Sequence, residues 1–170
     1  MSKHELVPAN LSHWSAYHLF KNRSLWRKRI RFDTLQQHEG RCADCRQDLE
    51  RFQCNEIWEY RDTERLAVLV GFESLCDSCH WSAHIGLSRE MDEPYPGLFD
   101  RAFLQYCANN GFTAAQAEQE IVLSIVRRNQ RSDIPWKVVV APALLKAYPE
   151  LKELERDIAS EIEQKAQAAS

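Results

Sequence analysis

Three features of the sequence predict an α+β domain with a strand, strand, helix centre and flanking helices. Cysteines pair twice at a spacing of three, Cys42 with Cys45 and Cys76 with Cys79. Between the pairs, apolar and aromatic residues mix with polar ones over 51–60, and an aliphatic, β-branched run follows at 66–70. After Cys76 the pattern becomes helical to about residue 86.

Each element follows from local chemistry. Ser24 is placed to cap a helix that continues to about residue 39, with Leu25, Trp26, Ile30 and Leu35 at helical spacing and Gly40 as its stop. ArgAspThrGlu, between the two strand candidates, makes a polar hairpin turn. MetAspGluProTyrProGly at 91–97 breaks the chain into a surface loop. A helix over about 98–109 is closed by Asn110 and Gly111. Thr113 and Gln116 then form a capping-box pattern for a helix carrying Ala117, Ile121 and Ile125 on one stripe. A short strand is expected over 136–140. An acidic helix is expected from about Glu150, with Leu151, Leu154, Ile158 and Ile162 on one face. Residues 1–141 thus read as the main domain, and 142–170 as an acidic helical extension.

Length and composition set the outer limits. At 170 residues and 44% apolar, the chain can fill one core and not comfortably two. No apolar run reaches the roughly 20 residues that cross a bilayer, and the N-terminus has no signal-like core. The expectation is a cytoplasmic protein that does not enter a membrane. A reducing compartment keeps thiols free, so paired cysteines at short spacing read as metal ligands. Two CxxC pairs with 30 residues between them can enclose one tetrahedral zinc, and four thiolates leave no position open to substrate. The expected role of Cys42, Cys45, Cys76 and Cys79 is therefore a structural zinc site. Cys107 lies in a helical pattern and reads as a small core residue.

His80 and His84, four apart on one helix, can share a second divalent ion. Cys54 and Glu56, on the strand expected across from that helix, are the available third donors. Net charge is −3, but its sign is divided: residues 1–46 hold nine Lys or Arg against four Asp or Glu, and 147–170 hold three against six. The basic run with Arg23, Arg27, Lys28 and Arg31 is the candidate nucleic-acid contact, and the acidic end is not.

The order CxxC, strand, strand, CxxCH and a further histidine resembles the HNH or ββα-metal nucleases. The resemblance is strongest to a bacterial branch that reads CHEVWEY and later CxxCH followed by KHIG. Here the corresponding stretches are CNEIWEY, residues 54–60, and LVGFESLCDSCHWSAHIGL, residues 69–87. The likeness covers residues 7 to about 141. It implies a zinc-stabilised ββα-metal core, DNA as the favoured nucleic acid, and a catalytic ion such as Mg, Mn, Ni or Zn. It places Cys54, His80 and His84 at ligand positions and Asn55 at the position of the general base. The middle asparagine of the family falls at Gly71, where a backbone carbonyl can take its orienting role.

An amide has no basic lone pair at neutral pH, so Asn55 can position a water and cannot take its proton. Glu56 is the nearest carboxylate, but strand alternation turns it to the opposite face. Three readings stay open. They are an HNH-type nuclease whose base was replaced by nature or by mutagenesis, a natural pseudonuclease kept as a binding module, and an interaction protein that meets a partner or a second copy through residues 150–170.

Overall fold

The computed structural model describes residues 4–11 and 26–157. Their architecture is mixed α+β, with helices packed around a four-stranded sheet. A π-wound turn, Trp26–Ile30, leads into α1, Arg31–Gln37. Glu39 and Gly40 both take left-handed backbone, φ 56° and 73°, which ends the helix where a glycine was expected to end it. Ser24, Leu25 and Arg23 lie outside the described residues.

β1, Gln53–Arg61, and β2, Leu66–Leu75, form an antiparallel hairpin that extends beyond the expected strands. A bulge between Ile57 and Trp58 leaves Val70 unopposed on β2. β2 also pairs in parallel with β3, Lys137–Val140, and β3 pairs antiparallel with the two-residue β4, Arg156–Asp157. This interior place in the sheet explains why Ala67, Val68 and Leu69 are buried in succession instead of alternating.

The connection from β2 to β3 is helical. It comprises α2, Asp77–Ala83, α3, Ile85–Glu90, α4, Leu98–Asn110, and α5, Ala114–Ser132. α2 and α3 meet at His84, whose φ of −102° and ψ of 40° depart from helical values. Backbone hydrogen bonds still step across that joint, from His84 N to His80 O and from Ser88 N to His84 O. α4 ends in Gly111 at φ 65°, and α5 starts with a complete Thr113 and Gln116 capping box, as the sequence implied. Ala117 and Ile121 bury the expected stripe of α5 against Ile85, Ala102 and Tyr106, with Ile125 beside them.

The expected helix from Glu150 is corrected by the structure over its described part. After α6, Pro142–Ala147, the chain forms a 3₁₀ turn, Pro149–Leu154, then extends at Glu155 and pairs with β3. A 3₁₀ turn has three residues per turn, so Leu151 and Leu154 stack on one side and both enter the core. They pack with Trp26, Ile30, Leu69 and Phe72, and the Trp26 and Phe72 rings meet edge to face at 5.4 Å. Of the stripe expected to pack against either its own domain or a partner, Leu151 and Leu154 are taken up by the chain's own core. Ile158 and Ile162 lie outside the described residues.

Residues 4–11 lie as a strap across the helical side. Ala9 N donates to Ser132 Oγ, Asn10 Nδ2 to the Ile134 carbonyl and Arg128 Nε to the Val7 carbonyl, while Glu5 pairs with Arg131. No described helix is long and apolar enough to cross a membrane.

Leu151 has no exposed surface, so Leu151→Ala should lower unfolding free energy by about 2–5 kcal/mol in urea titration. Leu104→Ala, at a side chain that is 69% exposed, should change it by less than about 0.5 kcal/mol.

Candidate metal centres and the adjoining cleft

The turn after α1 and the end of β2 are held side by side by backbone contacts. Arg41 bridges to Asp48, Ala43 N donates to the Ser74 carbonyl, and Ser74 Oγ donates to the Arg41 carbonyl. Those contacts deliver Cys42 and Cys45 to Cys76 and Cys79 at the start of α2. One sulfur from each of the four lies within 4.8 Å of all the others. Cys45 Sγ and Cys76 Sγ are 3.8 Å apart. A tetrahedron with zinc–sulfur bonds of about 2.3 Å has sulfur–sulfur edges of about 3.8 Å, so the spacing suits a zinc-sized ion.

The donors around the sulfurs suit thiolates. Cys76 N donates to Cys42 Sγ and Cys79 N to Cys76 Sγ, each at 3.4 Å, and Asn109 Nδ2 reaches Cys79 Sγ at 3.5 Å. Burial raises the Cys42 thiol pKa, but backbone donors at Cys76, Cys45 and Asp44 outweigh it and the net shift is downward. Burial pushes Cys76 up to about 11 and Cys79 further still. Bare thiolates this close would repel; a divalent cation turns that repulsion into ligation. The four cysteines together could hold zinc, as their spacing in the sequence implied.

His80 and His84 lie half-buried just beyond, their ring centroids 4.7 Å apart. Burial, and then the imidazoles of His84 and His4, pushes His80 down to about 3; burial and His4 push His84 down to about 4. Both rings are therefore neutral near pH 7, the form that ligates metal.

On β1 the alternation falls as expected. Asn55 is 7% exposed, and its Nδ2 donates to Glu73 Oε1 at 2.9 Å; the two residues are directly opposed in the hairpin. Glu56 points the other way and accepts from Trp58 Nε1 at 2.9 Å. Cys54 packs against the Trp26 core, its thiol 3.8 Å from Thr34 Oγ1, and burial pushes it up to about 11. Ligand atoms of Cys54, His80 and His84 do not gather within 4.8 Å as the four cysteines do.

A cleft of about 1240 Å³ joins these groups. Cys54, Asn55, Glu56, His80 and His84 line it, together with Arg27, Arg31, Arg89 and Arg128. Among the described lining residues the only other acid is Glu90, so a chain of net charge −3 presents four arginines against two glutamates here. Arg31 is also fixed, donating to the Phe52 carbonyl at 2.9 Å and stacking over the Phe52 ring at 4.3 Å. Lys28 is exposed but does not line the cleft.

His4, Asp44, Glu73, Arg89 and Arg128 carry no motif in the sequence, yet the fold brings all five to this region. Two of them left a trace: Asp44 sits inside the first CxxC, and Glu73 is the one charge in the strand LAVLVGFESL. No protein-family model, no curated protein and no solved structure matches the chain.

Protein purified without chelator should contain one zinc per chain in the four-cysteine centre by elemental analysis. Cys76→Ser should lose it together with the cooperative unfolding transition, since metal binding and folding are coupled. A Cys76→Ser protein that keeps both would exclude the assignment.

Proposed function

We propose that the chain is a zinc-stabilised HNH-type nuclease frame that binds nucleic acid, DNA in the first instance, with hydrolysis impaired at Asn55. The observation that carries this reading is the shared cleft. The histidine pair, the residue at the base position and four arginines face one volume of about 1240 Å³. The order of elements supports it too, because a hairpin followed at once by a metal-ligand helix is what the resemblance implies.

In this reading Arg27, Arg89 and Arg128 meet phosphate oxygens, and Arg31, held flat against Phe52, presents a pre-oriented guanidinium. His80 and His84 would hold a divalent ion; Cys54, the third ligand by the resemblance, packs against the Trp26 core and its sulfur does not gather with the two imidazoles. Such an ion polarises a phosphate and stabilises the leaving oxygen. Asn55 can hydrogen-bond a water beside that phosphate, but its amide cannot accept the proton. Glu73 keeps the Asn55 side chain in place from the opposite strand.

The second reading, a pseudonuclease that binds without cutting, is favoured by the same amide. It differs in whether the rest of the centre is competent.

Restoring the imidazole separates the two. Asn55→His should raise divalent-metal-dependent cleavage of plasmid DNA by roughly 10²- to 10⁴-fold, the usual contribution of a general base. Asn55→His with His80→Ala should be inactive. An Asn55→His protein that binds metal and DNA but leaves the plasmid intact would establish the pseudonuclease.

Binding itself should depend steeply on salt. Arg27→Gln with Arg89→Gln should reduce the slope of log affinity against log salt by about 2, one for each phosphate no longer neutralised. An unchanged slope would place the nucleic acid elsewhere.

A further inference from the structure

Between the four-cysteine centre and the cleft lies a second cluster of donors, of which the readings above use only Glu73, as the hydrogen-bond partner of Asn55. His4 comes from the strap, Asp44 from the turn between Cys42 and Cys45, and Glu73 from β2. One ligand atom of each lies within 4.8 Å of the other two. His4 Nε2 is 3.1 Å from Asp44 Oδ2, and His4 Nδ1 is 3.4 Å from Glu73 Oε1. The carboxylates are 1% and 5% exposed, and the imidazole 16%.

We propose that His4, Asp44 and Glu73 form a second metal site, which takes an octahedral divalent ion such as Mn²⁺ through one imidazole nitrogen and two carboxylate oxygens. Three kinds of observation carry this. The donor set is nitrogen and oxygen, the type that suits harder ions than the neighbouring sulfur centre would hold. One ligand atom of each residue lies within 4.8 Å of the other two, close to the span of an octahedron with bonds of about 2.2 Å, and whichever ring nitrogen of His4 ligates already has a carboxylate oxygen at 3.1 or 3.4 Å, near the roughly 3.1 Å octahedral edge. Both carboxylates also have outer partners of the kind that orient metal ligands: Asn109 Nδ2 donates to Asp44 Oδ2 at 3.3 Å, and Asn55 Nδ2 to Glu73 Oε1 at 2.9 Å.

The described residues supply three protein ligands, and water can fill open octahedral positions. His4, Asn55 and His84 also line a small cavity of about 70 Å³. The ion thus has a solvent-sized space beside it, and Asn55 becomes an orienting neighbour of a metal ligand. Coordination uses only one ring nitrogen of His4, so the ion takes the place of direct imidazole–carboxylate contact on at least one side.

The site stands apart from the nuclease reading, and its test needs no nucleic acid. The full-length, zinc-loaded protein is titrated with Mn²⁺ alone, following the loss of the free-ion electron paramagnetic resonance signal. Asp44→Asn, which preserves shape and the contact with Asn109, should weaken one Mn²⁺ site by at least about tenfold. His4→Ala should weaken the same site and remove the imidazole nitrogen modulation from the spin-echo spectrum of its bound Mn²⁺. His80→Ala should leave this site as it is. Unchanged zinc content and circular dichroism qualify each variant, and His4→Ala, on the strap, serves if Asp44→Asn fails to fold. No stoichiometric Mn²⁺ in zinc-loaded protein would overturn the proposal. So would a site lost with His80→Ala and retained in Asp44→Asn or His4→Ala. Either result leaves His4 as a clamp between two carboxylates.

Discussion

Four sulfur atoms set the position of almost everything near the cleft. A two-stranded hairpin is marginal on its own in water, and β1 forms an edge of this sheet. The convergence of Cys42, Cys45, Cys76 and Cys79 ties the turn after α1 to the point where β2 becomes α2. Cys76 acts twice there, as a member of the cluster and as the N-cap of α2, its sulfur accepting from Cys79 N. The direction in which α2 leaves the hairpin is fixed at that residue. His80 follows one position after the last cysteine, so its place relative to Asn55 is set by the same four atoms.

A polar chain runs outward from this knot through the interior. Asn109 on α4 reaches Cys79, Ser82 and Asp44; Asp44 meets His4, His4 meets Glu73, and Glu73 meets Asn55. Buried polar groups are tolerated when they are hydrogen-bonded, and such a network couples the geometry of its members. Here it links the α4 helix, the cysteine turn, the strap and the hairpin. Asn55 is consequently held by groups from four parts of the chain. A change at Asn109 or His4 would be felt at Asn55 without touching the cleft.

Charge is arranged on a larger scale. The chain is slightly acidic overall, yet its cleft gathers four arginines from the turn before α1, from α1 itself, from α3 and from α5. A concave surface with low-dielectric walls concentrates such a field, so local sign matters more for an incoming anion than the total. The sequence pointed to this only in part. Arg27 and Arg31 lie in the basic run that marked the first helix, whereas Arg89 and Arg128 lie 58 and 97 residues beyond Arg31.

What the sequence determined was local. CxxC spacing, the capping box at Thr113 and Gln116, the glycines at 40 and 111 and the apolar stripe of α5 all express chemistry acting within a few residues. Each appears in the structure where the pattern placed it. The alternation that turns Asn55 and Glu56 to opposite faces belongs to the same class. Tertiary structure decided what depends on distant partners. The stripe at Leu151 and Leu154 has spacing that both a helix and a 3₁₀ turn satisfy, and its packing on Trp26 and pairing of the next residues with β3 selected the turn. His4, Asp44 and Glu73 lie 40 and 29 residues apart in the chain, and no local rule relates them. They meet because the strap follows α5, the cysteines pin the turn and β2 crosses between, a coincidence of three elements that no periodicity in the chain encodes.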